Sequence, residues 1–350
     1  MRALLALIVT CYASAAVKHN IVYIMADDLN ADWKNDRLAY MPKLKKYFAD
    51  EGTEFVNHVA AQPVCGPSRS SMLLGRYPHN TGYVNNADEP SYANFLAQAN
   101  NTVGKWLKDA GYYTAFFGKY VNGMESHVPS GWSYWGALQN TYDFYNATIW
   151  QKDWEDPRFG PPRSKLMTHV HQADFLGNFT VDHAAKAVAA NRPFFISVTP
   201  VMPHWGTCYG PGPDSVYPAY DPHFEFNLAQ ANLSCGDTCA MPISPCPTVR
   251  NRHKFDGQTN PHIEGVWNVS IKGNRPQAMR KIEQASGHLT PFQEWRQDIG
   301  WQNRSASLID LDEMIGGIVE GIEKLGVLND TIFFFTSDVR HVRLVFSQLK

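Results

Sequence analysis

The run Asn20-Ile21-Val22-Tyr23-Ile24-Met25-Ala26-Asp27-Asp28 decides the fold. Ile21 to Met25 are continuously apolar and partly β-branched, the pattern of a strand buried on both faces. Such strands belong to parallel sheets covered by helices, where ligands bind beyond the carboxyl ends of the strands. Asp27 and Asp28 stand at that end. Adjacent carboxylates repel, and either a solvated turn with a helix cap or a bound cation relieves them. Hard oxygen donors suit Ca²⁺ or Mg²⁺.

Working outward, the pattern predicts a helix over Pro42 to Glu51 with Leu44, Tyr47 and Phe48 on one face, then a strand over Thr53 to Val59. One helix is expected over Ser91 to Ala110, a strand over Tyr113 to Phe117, a helix over 171–190 and a strand over Pro193 to Thr199. Leu308, Leu311, Ile315, Ile318 and Ile322 recur at threes and fours and predict a helix over Ser305 to Leu325; Thr331 to Thr336 closes as a strand. Strands alternating with helices give an α/β class with a mostly parallel central sheet flanked by helices. Polar groups again follow strands: Lys119 after Phe117, His204 after Thr199, Asp338 after Thr336. Residues 205–300 lack periodicity and are rich in proline, glycine, cysteine and aromatics, an irregular insertion expected beside the site.

The chain of 350 residues carries 31 basic and 33 acidic side chains, which removes the electrostatic case for nucleic acid. No internal run reaches the roughly twenty apolar residues of a membrane span. Arg2, the apolar stretch Leu4 to Val9 and the small residues Ala13-Ser14-Ala15-Ala16 read as a signal peptide over residues 1–16; a buried first element is the other reading. Asn100, Asn146, Asn178, Asn232, Asn268, Asn303 and Asn329 each begin an Asn-X-Ser/Thr triplet, which favours a secreted or lysosomal route through the endoplasmic reticulum. Cys208, Cys235, Cys239 and Cys246 are enough for two local disulfides, with a zinc site as the alternative. Cys65 is then left over.

Cys65-Gly66-Pro67-Ser68-Arg69 places a cysteine at the start of a short helix, where free N–H groups favour an anion, and Arg69 one turn on. A reactive thiolate and a buried structural cysteine both fit. A thiolate beside hard oxygen ligands matches Ca²⁺ poorly, which points to a residue 65 that is not a cysteine in the working protein.

This pentapeptide, followed by Leu73-Leu74-Gly75-Arg76, resembles the signature of the type I sulfatases. Asp27-Asp28, Gly118-Lys119-Tyr120, Pro203-His204 and Thr336-Ser337-Asp338 resemble further family segments, nearest the glucosamine-6-sulfatase and arylsulfatase branch. The resemblance implies an alkaline-phosphatase-like (sulfatase) sandwich with a catalytic domain over 17–338. It implies that Cys65 is oxidised to formylglycine by a formylglycine-generating enzyme. It also implies that Asp27, Asp28, Asp338 and residue 65 hold Ca²⁺. The hydrated aldehyde offers two hydroxyls on one carbon, one to attack sulfur and one to let the adduct collapse and release sulfate. Arg69 would orient the formylglycine oxygen, and Lys119 and His204 would bind sulfate or protonate the leaving group. The implied substrate is an aryl sulfate or a 6-sulfated glucosamine of a glycan.

Three departures stand out. Val339 follows Asp338 where the family pattern expects Asn or His. Val121 and Asn122 follow Tyr120 where a histidine often stands. Residues 339–350 form an atypical tail in place of further strands, a small C-terminal domain and a late lysine, as in a truncated form. The alternatives are therefore a catalytically dead sulfatase-like protein, or a phosphate or phosphonate ester hydrolase of the same superfamily. Cys65 speaks against the latter, whose nucleophile is usually Thr or Ser.

Overall fold

The computed structural model describes residues 18–30, 37–86, 89–123, 127–206, 244–261, 291–339 and 344–347. β1 (Asn20–Ala26) lies in the middle of a sheet whose other described strands are β2 (Thr53–Phe55), β3 (Tyr113–Gly118), β4 (Tyr134–Leu138), β5 (Thr148–Asp153), β6 (Arg163–Leu166), β7 (Phe194–Thr199), β8 (Thr331–Ser337) and β9 (Leu344–Ser347). The order across the sheet is β2-β9-β8-β1-β7-β3-β4-β5-β6. The five strands from β8 to β4 are parallel, and antiparallel strands extend both edges. This is the expected mostly parallel sheet.

The α-helices among the described residues are α1 (Pro42–Leu44, running on through a π-helical stretch, Lys45–Asp50), α2 (Cys65–Leu74), α3 (Pro78–Thr81), α4 (Glu89–Leu96), α5 (Val103–Asp109), α6 (Gln172–Ala189) and α7 (Pro291–Lys324). The strands explain the two layers. Successive residues point to opposite faces, so Ala115 and Phe117 join one apolar core and Phe116 the other. The first core holds Leu44 of α1, Leu176 and Ala184 of α6, and Leu308, Leu311, Ile315, Ile318 and Ile322 of α7. Each of those α7 side chains is at most 1 % exposed, a burial that stabilises by roughly 1.5–3 kcal/mol apiece. The second core holds Leu73 and Leu74 of α2 and Phe95 of α4 against Trp135 and Phe195.

Four expectations change. The tail, expected to hold no further strand, contributes β9, which pairs antiparallel with β8 and β2. Ser91 to Ala110 is two helices, broken by turns over 97–102. The strand after Gly52 ends at Phe55, not Val59. In the insertion, residues 244–261 hold neither helix nor strand, and only 291–300 departs from an irregular chain. Residues 291–300 are the first turns of α7, and Thr248 and Asn251 fasten 244–251 to Asp310 of that helix. Cys246 is disulfide-bonded; Cys208, Cys235 and Cys239 lie outside the described residues, as does the segment 1–16.

Candidate active site

The adjacent strands β8, β1, β7 and β3 run parallel, so their carboxyl ends form one rim. Asp338 follows β8, Asp27 and Asp28 follow β1, His204 follows β7, and Lys119 follows β3. Cys65 and Arg69 arrive on the first turns of α2. Two glycines allow the close approach. A Cβ on Gly66 would lie 2.3 Å from the Tyr83 ring, and one on Gly118, at φ 101°, would lie 2.2 Å from the Thr199 carbonyl oxygen. That carbonyl accepts from the Lys119 N–H at 2.8 Å.

The charged side chains interlock. Lys119 Nζ donates to Asp27 Oδ2 at 2.7 Å, and Arg69 Nε to Asp338 Oδ2 at 2.8 Å. Arg69 Nη1 donates to the Lys119 carbonyl at 2.7 Å, while Nη2 stands 3.5 Å from Asp27 Oδ1. Cys65 Sγ donates to the same Asp27 oxygen at 3.5 Å. The Asp28 N–H donates to Asp338 Oδ1 at 3.1 Å, and His204 Nε2 lies 3.5 Å from Asp28 Oδ2. All but Asp28 are buried.

Burial would raise Asp27, but Lys119, Arg69 and His204 outweigh it and hold its carboxyl well below the usual range. Burial first, then the charge of Asp27 to which it is hydrogen-bonded, pushes Asp338 up. Burial would lower Lys119, and Asp27 holds it charged. The Cys65 thiol is pushed up to about 12, by burial first and by Asp27 second. At neutral pH it is therefore a protonated thiol and a poor nucleophile.

A family model described as "Sulfatase" matches residues 19–340. The chain belongs to the sulfatase family.

An arylsulfatase of Volvox carteri is 26 % identical over 338 residues, covering 93 % of this chain and 47 % of that protein. The N-acetylglucosamine-6-sulfatase of Capra hircus is 28 % identical over 340 residues, covering 93 % and 51 %. This sulfatase chain thus spans about half the length of the curated relatives it matches. A solved structure in complex with its substrate D-glucosamine-2-N,6-O-disulfate superposes with a TM-score of 0.58 at 20 % identity, over 94 % of this chain and 71 % of that one. It shares the fold, alkaline-phosphatase-like as expected.

All seven residues expected at a sulfatase site meet here, but their grouping differs from the expected one. The potential ligand atoms that lie within 4.8 Å of one another belong to Asp27, Asp28, Cys65 and His204. Asp338 instead gives one oxygen to Arg69 and the other to the Asp28 N–H. A hard cation fits this pocket: Asp27 and Asp28 bring two carboxylate oxygens within 4.8 Å of each other. The one soft donor is the thiol, so an oxygen at residue 65 fits better than sulfur.

Two contributors were not foreseen. Tyr142 stacks on His204 with ring centres 4.8 Å apart and lies under Lys119 Nζ at 5.1 Å. Asn86 accepts the Gly66 N–H at 2.8 Å. Neither carries a local signal; both come from loops that only the tertiary fold brings to the rim.

Proposed function

We propose that this sulfatase chain hydrolyses sulfate esters, an aryl sulfate or a 6-sulfated glucosamine of a glycan, with residue 65 as formylglycine and one Ca²⁺ bound. The observation that carries the reading is Cys65. It is buried at the start of α2, has its thiol pushed up to about 12, and is faced by two cations and three carboxyls. A side chain so placed is useless as a thiolate and well placed as an oxygen nucleophile.

Asp27, Asp28, Asp338 and residue 65 would hold the cation, with His204 at its edge. The cation would supply charge to lower the pKa of an attacking hydroxyl and to screen the sulfate. Arg69 and Lys119 remain charged in a water-poor pocket and offer fixed positive groups to sulfate oxygens, where such groups act most strongly. His204 Nδ1 lies 2.6 Å from the Trp205 carbonyl, which can only accept, so Nδ1 carries a proton. Nε2 is left to hand a proton to the departing alcohol when the ring is charged.

The secreted or lysosomal route is part of the proposal. Cys246 is in a disulfide, and Asn100, Asn178 and Asn329 are exposed. Asn146 and Asn303 are buried and hydrogen-bonded, to the His169 N–H and to Ser244. Among the described residues no helix is long and apolar enough to cross a membrane. The test is peptide mass spectrometry across 65–69 on protein made in a eukaryotic secretory pathway, followed by assay on an aryl sulfate and a 6-sulfated glucosamine with calcium. Only unmodified thiol, in cells that modify a control sulfatase, would reject formylglycine. A modified but inert protein would reject hydrolysis.

A further inference from the structure

α7 reaches the sheet with an apolar stripe, yet one turn before that stripe it carries Arg304. This guanidinium donates to backbone carbonyls beside the charged cluster. Nη1 donates to the Pro203 carbonyl at 2.8 Å; Nη2 donates to the Asp28 carbonyl and to Asn30 Oδ1, the latter at 3.4 Å. The two carbonyls belong to different turns, one after β1 and one after β7. Each turn delivers a side chain of the 4.8 Å cluster: Asp28 directly, and His204 as the residue after Pro203.

Asp28 needs such help. Its φ is 59°, in the left-handed region, a conformation that a non-glycine residue keeps only where its surroundings over-determine it. Here the Asp28 N–H is held by Asp338, the Leu29 N–H donates to Ser337 Oγ at 2.9 Å, and the Asp28 carbonyl is held by Arg304. Asp338 and Ser337 hold the turn to β8; among these contacts, Arg304 ties it to the neighbouring turn after β7.

We propose that Arg304 is a positioning residue that locks Asp28 and His204 into one arrangement for the cation and the leaving group. The part about the cation rests on the function proposed above. A guanidinium donates from two nitrogens in fixed directions, so it can bridge two carbonyls at once. A lysine ammonium is a point charge on a flexible stem and does this less well.

The experiment compares R304K, R304Q and R304A with the unsubstituted chain by two readouts. The first is hydrogen exchange without added cation, over 26–30, over 202–206 and over 305–324. The second is calcium affinity from the calcium-dependent rise in Tm and from Tb³⁺ luminescence. Exchange at both turns is expected to rise about tenfold or more in R304A and R304Q, roughly the release of one charge-assisted hydrogen bond. Exchange over 305–324 should stay put, calcium affinity should fall about tenfold, and R304K should recover only part of both. Faster exchange confined to α7, or turns that do not change, would overturn the assignment, as would unchanged calcium affinity in a protein that binds calcium. If the unsubstituted chain binds no calcium, the cation reading falls and the exchange pattern alone decides Arg304. If R304A does not fold, R304K and R304Q supply the same comparison.

Discussion

Asp310 on α7 and Asp27 at the end of β1 are both fully buried aspartates, yet the chain surrounds them in opposite ways. Asp310 accepts from the Thr248 N–H at 2.8 Å, the Thr248 hydroxyl at 2.5 Å and Asn251 Nδ2 at 2.7 Å, three neutral donors on one short segment. Asp27 instead meets Lys119, Arg69, the Cys65 thiol and a second carboxyl. Neutral donors around a carboxylate fasten one piece of chain to another. Opposed buried charges stabilise little, because desolvation offsets their attraction. Such a cluster is better explained by chemistry than by folding. The difference separates a clasp from a working site.

The largest effect is expected at Asp27. Asp27→Asn keeps the shape but removes the charge that Lys119 and Arg69 face, and it removes a proposed cation ligand. The loss in kcat/KM on an aryl sulfate, measured on folded protein, should be about a thousandfold, roughly 4 kcal/mol; Tm should fall too, because Lys119 is left buried without its partner. A kcat/KM of the folded protein within tenfold of the unsubstituted chain would break the contrast.

Asp310→Ala should act on stability alone. It strands three buried donors, each worth about 1–3 kcal/mol but not additively, so a loss of roughly 3 kcal/mol is expected. Urea unfolding measures it, and proteolysis should open first in 244–251. The folded fraction should keep its calcium binding; if it does not, the clasp is part of the site.

A third cluster sharpens the comparison because its buried titratable group is held neutral. His183 sits between Tyr113, Phe117 and Tyr134, with Nδ1 2.6 Å from the Tyr113 hydroxyl, and burial holds its pKa down to about 3. The unfolded chain takes up a proton near 6.5 while the native chain does not. The stability is therefore complete above pH 6.5 and is lost progressively as pH falls towards about 3. At pH 5 the loss is about 2 kcal/mol. His183→Gln, which keeps an acceptor for Tyr113, should flatten this acid limb in Tm measured from pH 7 to 5. An unchanged limb would assign it to other groups.

The same physics explains what could be read from the chain beforehand. β1, β3, β7 and β8 are nearly continuous apolar runs because both faces are covered, and such runs are visible locally. β5 carries Gln151, Lys152 and Asp153, and the residues of β6, Arg163–Leu166, are all exposed. Their pairing comes from the sheet edge they extend, so no apolar signal marks them. The break between α4 and α5 was written in Asn100-Asn101-Thr102, a polar turn overridden by the apolar pattern on either side. The first turns of α7 are polar enough to pass for a loop. At the site, residues in strand-end motifs were legible, whereas Tyr142, Asn86 and Arg304 serve through placement alone. The regrouping of His204 with Asp28, and of Asp338 with Arg69, depends on side-chain directions that a motif does not encode.

The smallest effect is expected at Val339, and it tests whether the cation set is complete without a ligand there. The residue follows Asp338 at the rim and is half-buried. The sulfatase resemblance calls for Asn or His at this place, and valine offers neither oxygen nor nitrogen. The Asp338 N–H is anchored to the Ala26 carbonyl at 3.2 Å, so the backbone entering position 339 is fixed relative to β1 and Asp27. Val339→Asn would add one neutral oxygen without changing the balance of charge. For a hard cation, affinity follows ligand number and charge, so one neutral donor should tighten calcium binding about tenfold, roughly 1.4 kcal/mol. Val339→His should gain less, since imidazole is a softer ligand than an amide oxygen. Calcium titration followed by Tb³⁺ luminescence reads both. Unchanged affinity in Val339→Asn, together with lost affinity in Asp27→Asn and in His204→Ala, would mean that Asp27, Asp28, His204 and residue 65 already form the whole set. Asp338 would then belong with Arg69 as the positioning pair behind it.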